Sequence, residues 1–368
     1  INPSALFEYK ISENVAASFS AEWLNASGKY KFRYRRVNPA GEIAYDTTAV
    51  RENGDINATR LEAGLYGTIE RGTWNAKVYN YNSERGIPGA IVNNVWRRGE
   101  RVWDTNSFFQ GSFVKEVNDQ FKTQVNAKYA FYRTHYVNND DKLIEVDNLY
   151  KQREVYVSTA NMYTIFPFWD VSMSYDFQWN EMKADMYGFV FPTRFTNLLS
   201  IATALRLGKV KLQGSGLATF VNDRVKEGPA PKARQILTPA VFLSYKPFDK
   251  HDFSLRAFYK KTFRMPTFND LYYADMGNSK LDPEYVTQYN LGTVYQKQWG
   301  NKLFRHFKIQ ADGYYNYVKD KIIAYPKGQQ FRWTMLNLGK VKIRGVDIST
   351  ETMINPWKDL FITMKVQS

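Results

Sequence analysis

Cysteine is absent from the 368 residues, which excludes a disulfide framework, Cys-ligated zinc and thiol redox chemistry. Long apolar runs are absent too. Nothing approaches the roughly 18 to 20 uninterrupted apolar residues that a membrane-spanning helix needs, and mean hydropathy is -0.50, so a helical membrane protein is excluded. Histidine is scarce, with only His135, His251 and His306. No nucleophile sits in a recognisable pattern with a histidine and an acid, and neither an HExxH run nor a Gly-rich phosphate loop is present. No catalytic residue is assigned, and an enzyme is not expected.

Aromatic residues, by contrast, are plentiful. There are 26 Tyr, 25 Phe and 9 Trp, well above the ring content of an average soluble domain. The net charge is +14, from 50 Lys and Arg against 36 Asp and Glu. These cations are dispersed through alternating segments and form no single block, so nucleic acid is not the expected partner. Attraction to anionic lipid headgroups or anionic solutes accounts for the same balance. Even the interleaved run Lys29-Tyr-Lys-Phe-Arg-Tyr-Arg-Arg36 places Tyr30, Phe32 and Tyr34 on one face and cations on the other, as a barrel strand requires.

Period-two alternation runs through the chain. In Val171 to Asn180, Val171, Met173, Tyr175, Phe177 and Trp179 share one face, and Ser172, Ser174, Asp176, Gln178 and Asn180 the other. The pattern returns in Phe121 to Phe131 and in Phe307 to Tyr317. It predicts about 16 strands, many near the 9 to 11 residues of a tilted membrane-spanning strand. A closed antiparallel barrel pairs every backbone N–H and C=O, which makes it the one remaining way across a bilayer.

The connections take turns in length. Short ones are expected at Ile11 to Asn14, Glu70 to Thr73, Val117 to Gln120, Phe166 to Asp170, Leu207 to Lys209, Lys246 to Asp252, Gln298 to Lys302 and Asn355 to Asp359. Long ones fall between them, at Val37 to Asp55, Ser83 to Asp104, Thr134 to Leu149, Glu181 to Arg194, Asn222 to Gln235, Phe263 to Glu284 and Val318 to Gln330. Short periplasmic turns facing longer extracellular loops are the signature of outer-membrane barrels. The apolar phase shifts between Trp23 and Tyr30, which reads either as a turn at Asn25 to Lys29 or as a β-bulge near Gly28 within one long strand. The bulge preserves the alternation of loop lengths and is the expectation.

The segment Phe263-Arg-Met-Pro-Thr-Phe-Asn-Asp-Leu-Tyr-Tyr273, followed by Gly277-Asn-Ser-Lys-Leu-Asp-Pro-Glu284 and Gln288-Tyr-Asn-Leu-Gly292, resembles a signature of TonB-dependent receptor barrels. Its residues are Phe263, Arg264, Pro266, Asp270, Gly277, Asn278, Leu281, Pro283 and Glu284. Ser279 replaces the usual Pro, and Asp270 stands where Glu is common. Leu336-Asn-Leu-Gly-Lys-Val-Lys-Ile-Arg-Gly-Val-Asp347 resembles a strand that often follows in the same barrels, and Arg85-Gly-Ile-Pro-Gly89 is also similar to a family feature. The resemblance implies a 22-stranded barrel filled by an N-terminal plug, with extracellular ligand binding and opening by the TonB complex; 22-stranded outer-membrane transporters with a plugged lumen are a known architecture. On that reading residues 1–368 are one part of a single barrel domain, both ends are cuts in a longer protein, and the plug and roughly six strands lie outside it. Vitamin B12 and ferric siderophore importers are the branches it is most similar to. A passive porin and a barrel enzyme are the competing readings.

Solute contact would fall to rings and polar groups on the long loops. The candidates are Arg85, Trp96, Arg97, Arg98 and Trp103; His135 and Tyr136; Tyr187, Phe189 and Phe191; and Phe268, Tyr272 and Tyr273. Membership of an aromatic girdle at headgroup level is the competing role for each, and the signature loop itself either folds the rim or meets solute. Of the three histidines, only His135 lies on the long-loop side, where an axial haem ligand would be needed. Asp140, Asp141, Glu145 and Asp147 form an oxygen-rich set of the kind that holds calcium, without EF-hand spacing; a solvated acidic loop is the plainer reading. No intrinsic cofactor or metal is expected. The expected partners are outer-membrane lipid and lipopolysaccharide, the TonB complex, and a surface ligand-binding lipoprotein.

Overall fold

The computed structural model describes residues 1–89, 99–139, 145–228, 230–272, 277–300, 303–327 and 332–368. Its strands are β1 (Ser4–Lys10), β2 (Val15–Ala26), β3 (Tyr30–Val37), β4 (Ile43–Arg51), β5 (Ile56–Ile69), β6 (Gly72–Ile87), β7 (Glu100–Glu116), β8 (Phe121–Asn138), β9 (Val146–Phe166) and β10 (Trp169–Ala184). They continue with β11 (Thr193–Leu207), β12 (Val210–Arg224), β13 (Arg234–Tyr245), β14 (Asp252–Arg264), β15 (Glu284–Gln298), β16 (Phe304–Lys327), β17 (Arg332–Trp357) and β18 (Leu360–Gln367). A single helical turn, α1 (Phe268–Tyr272), lies between β14 and β15. Sixteen strands form one antiparallel sheet in the order β1-β2-β5 and then consecutively to β18, while β3 and β4 pair only with each other. The sheet is not closed, since β1 and β18 are not paired to each other.

The expected alternation of short and long connections holds along the main sheet from β1 to β16 and fails at β16–β17, where Lys327 is paired with Arg332; cross-strand register tells the two faces apart. Met173, Tyr175 and Phe177 pair with Ile201, Leu199 and Asn197 on one face. Ser172, Ser174 and Asp176 pair with Met162, Ala160 and Ser158 on the other. The first face leaves large apolar side chains in the open, among them Tyr129, Met173, Ile201 and Leu291, as a lipid-facing surface does. The second carries the ion pairs Lys77–Glu62 and Lys128–Glu154 and is the lumen face. Pro239 sits within β13, has no N–H to give, and the pairing of β13 with β14 begins one residue later at Ala240.

Two expectations are corrected. There is no bulge near Gly28. β2 pairs directly with β5, from Val15 with Gly67 to Ala26 with Ile56, and the intervening residues make the separate β3–β4 hairpin, so Val37 to Asp55 is not a bare connection and Tyr30 to Arg36 is not wall. Gly28 has φ +57, and a Cβ there would strike the Gly54 carbonyl, so the phase break marks the point where the two legs of the hairpin touch. The long connections are also shorter than expected. β8 runs to Asn138, β9 starts at Val146, and β16 runs to Lys327, because polar alternating residues keep pairing beyond the apolar band.

Candidate functional site

The signature segment builds the mouth of the lumen. Pro266 cannot continue the ladder, and the chain turns into α1 through a reciprocal cap. The Thr267 N–H donates to Asp270 Oδ2 at 2.9 Å, and the Asp270 N–H donates to Thr267 Oγ1 at 3.1 Å. Arg264 donates to the same Asp270 oxygen at 3.0 Å. Gly277 is demanded by space, because a Cβ there would lie 2.7 Å from the Leu271 backbone.

So folded, α1 buries Phe268, Leu271 and Tyr272 against Tyr150, Met182, Phe189 and Ile322. Arg194 of β11 fastens it. Its guanidinium makes two 2.7 Å bonds to Asp223 of β12, donates to the Pro266 carbonyl at 2.6 Å, and lies 5.2 Å from the Phe268 ring centroid. The pair is buried, with side-chain exposures of 11% and 4%. Burial pushes the Tyr272 phenol above its ordinary value; the charge of Asp223 adds to this and Arg194 opposes it. The far side of the loop is held by the second motif. Asn278 Nδ2 donates to the Met335 carbonyl at 2.9 Å, Asn337 Nδ2 donates to the carbonyls of Asp282 and Asp320 at 3.0 and 2.7 Å, and the Asp282 N–H donates to Asn337 Oδ1 at 2.9 Å. Glu284 accepts from the Ile322 N–H at 3.0 Å. The two stretches of family resemblance therefore meet in space.

Beneath the loop lies a lumen-facing pocket of about 380 Å³, lined by Glu154, Gln178, Asn180, Arg194, Thr196 and Phe268 among others. That volume and the mixture of a ring with convergent polar groups suit a small solute or one end of a larger one.

Across the mouth, the third stretch of resemblance is a clamp. The carbonyls of Pro88 and Gly89 accept hydrogen bonds from Arg51, while Asn53 Nδ2 donates to the carbonyls of Ile87 at 3.1 Å and Glu100 at 2.8 Å. Arg101 bonds Asp55 at 2.9 Å and Glu84 at 2.7 Å, and the Arg101 hydrogen bond holds the Asp55 carboxyl below its usual range.

The predicted contact residues are dispersed. Arg85 faces the lumen and pairs with Asp104 at 3.3 Å. Tyr187 is fully exposed beside Gly188. Phe268 and Tyr272 are buried in the rim cluster; Phe268 also contributes to the lining of the pocket beneath the loop, while Tyr272 does not. His135 and Tyr136 belong to β8, not to a loop. His135 takes the outward phase, stacks on Trp103 at 5.2 Å and shares a 2.6 Å hydrogen bond with Asp147. Trp96, Arg97, Arg98, Tyr273, Asp140 and Asp141 lie outside the described residues, and among those described no cluster of three or more His, Cys, Asp or Glu could hold a metal. Sequence reading missed Arg194 and Asp223, and picked out Asn337 only as part of the second motif; alternation does place Arg194 and Asp223 on the lumen face, but their pairing spans 29 residues.

A sixteen-stranded wall of outer-membrane type, with its mouth narrowed by one inward-folded loop, defines a receptor-type barrel. A family model described as "TonB dependent receptor-like, beta-barrel" matches residues 8–365. The chain belongs to that family, whose members are receptors and transporters in the outer membrane of Gram-negative bacteria and not enzymes. A stretch of 87 residues, 23% of this chain and 13% of the relative, is 34% identical to the vitamin B12 transporter BtuB of Vibrio vulnificus. Among solved structures, the FrpB iron transporter of Neisseria meningitidis superposes with TM-score 0.73 at 14% identity over 100% of this chain and 58% of its own. The copper transporter OprC gives 0.70 at 14% identity over 95% and 58%. The Serratia marcescens hemophore receptor HasR, solved with its hemophore HasA and heme, gives 0.69 at 11% identity over 99% and 60%. The chain thus spans about three-fifths of the solved structures it resembles.

Proposed function

We propose that this chain forms most of the wall of an outer-membrane importer that takes up a scarce, bulky solute, either cobalamin or an iron chelate, with energy delivered through the TonB complex. The observation that carries the reading is the signature loop, folded into the mouth and bonded to β11, β13, β16 and β17, since a passive pore gains nothing from a roofed polar pocket. The pocket beneath it and exposed Tyr187 are where an arriving solute would first bind, and a bound solute would favour whichever loop arrangement it touches most. The 87 residues shared with a vitamin B12 transporter support cobalamin; the iron and heme proteins of like fold support a chelate.

The sheet is read as sixteen strands of one 22-stranded barrel that also holds a plug. Its end strands expose every residue of β1 and β18, and unpaired edges are not tolerated in lipid. Energy coupling would run through the plug, and outer-membrane lipid, lipopolysaccharide and a surface lipoprotein are the other partners.

Growth on limiting cobalamin, heme or a ferric siderophore tests this, in strains lacking the gene and with or without TonB. The expected outcome is failure on one nutrient, reproduced by loss of TonB. Uptake that survives without TonB would replace the importer with a porin.

A further inference from the structure

The outward face carries a feature that solute import does not use. On it one cross-strand row runs over five strands, Val241 with Tyr259, Tyr259 with Tyr289, Tyr289 with Tyr315 and Tyr315 with Arg344. The next row inward in the membrane is Leu243, Ala257, Leu291, Gly313 and Val346. Ala257 and Gly313 are small where their neighbours are large, and the surface there sinks into a groove of about 870 Å³. A Cβ on Gly313 would find no atom closer than 3.9 Å, so neither packing nor backbone requires glycine; what its absence of side chain leaves is the floor of the groove.

Arg344 stands at the groove's extracellular end, and Lys342 and Lys340 follow it on the same outward phase of β17. Lys340 lies directly opposite Lys319 of β16, a like-charge pair that costs stability unless an anion offsets it. All four side chains are exposed. Lys319 lies 3.7 Å from Asp320, while Lys340, Lys342 and Arg344 have no ion pair or hydrogen-bond partner among the described residues. From Arg344 to Lys340 the strand rises by about 13 Å along its own axis, or about 10 Å along the normal at a 45° tilt. The cations thus climb from the apolar groove in the direction of the headgroup layer that borders the hydrocarbon. They lie towards the end of the sheet that carries the β14–β15 connection, the side of the long connections, and so face the outer leaflet.

We propose that this groove and its cations bind one acylated lipid with a phosphorylated headgroup from the outer leaflet, its chains over Ala257 and Gly313 and its phosphate on Arg344, Lys342 and Lys340. A groove alone would take any chain, and cations alone any anion. Their contiguity selects a molecule that has both. The inference rests on reading this face as membrane wall, and it is independent of what the lumen carries.

The test uses the protein expressed from its whole gene and purified from outer membranes, with lipid retention followed by native mass spectrometry. The probes are a phosphorylated, multiply acylated glycolipid, its dephosphorylated form, and inorganic phosphate. One phosphorylated glycolipid per protein is expected to be retained, about tenfold or more above the dephosphorylated form, with millimolar phosphate unable to displace it. K340Q/K342Q/R344Q and, independently, Gly313→Leu are each expected to lower retention by a similar factor while circular dichroism stays that of the parent. Retention unchanged in either variant, or displacement by free phosphate, would overturn the site. A parent protein missing from the outer-membrane fraction would instead overturn the reading of the sheet as membrane wall.

Discussion

Arg194 shows why single residues at the mouth matter more than their number suggests. Its three bonds join β11, β12 and the signature loop, and the pair with Asp223 is largely shielded from water. Removing one partner leaves the other charge buried, so Arg194→Ala or Asp223→Ala is expected to cost about 3–5 kcal/mol at this end of the barrel. Arg194→Lys is expected to recover little, because an ammonium cannot make the paired bonds. Limited proteolysis within the signature loop is the readout, and cleavage at the parent's rate in all three variants would refute the role. Tyr272 gives a pH dependence of known sign. Burial raises its pKa in the folded rim, so its contribution is fully present below about 10, the unfolded value, and is lost as pH rises through the folded value. The parent's loop should become protease-sensitive in strong alkali, and Tyr272→Phe, which has no proton to lose, should hold to higher pH. None of this could be read from sequence, because Arg194 and Asp223 become neighbours only when two long strands pair, whereas the Pro266 stop and the turn chemistry at Asn278 are local and were legible.

At the scale of elements, strict alternation made the strands legible, and Val171 to Asn180 shows it best. What alternation could not show was a change of sheet. Tyr30, Phe32 and Tyr34 alternate as a wall strand would, yet they belong to the β3–β4 hairpin, because register depends on which partner lies alongside and not on the strand's own pattern. The only local sign was the phase break at Gly28. Since β2 and β5 pair along their whole length without the hairpin, replacing residues 29–54 by a short turn is expected to leave outer-membrane yield and β-content unchanged. A loss of either would mean that the hairpin is needed for the wall. Loop lengths were overestimated for a related reason: Tyr136, Asp147 and Lys321 are polar enough for a loop, but pairing continues through them.

For the whole molecule, the apolar outward face and polar lumen face make opposite demands on the same substitution. Ile201 is 57% exposed in the middle of β11, and adjacent Ser200 faces the lumen. Ile201→Arg is expected to destabilise the protein in lipid vesicles by about 2–4 kcal/mol, and Ser200→Arg by far less. Denaturant titration monitored by tryptophan emission would measure both, and equal losses would mean that the faces have been assigned the wrong way round. Charge dispersed as +14 over the chain pointed to lipid or solute and away from nucleic acid; which cations cluster outward became visible only once register set Lys319 against Lys340.

The bonds from Asn278 to Met335 and between Asp282 and Asn337 also set a timetable. The signature loop takes its anchors from both sides of its own position in the chain: Arg194 is made well before it, and Asn337 well after. A ribosome or an insertion machine delivering strands in order can therefore complete β14 and β15 while the loop between them still lacks half its partners. The roof of the lumen sets only after β17 has arrived, so the mouth of this barrel is open during assembly and narrows near its end.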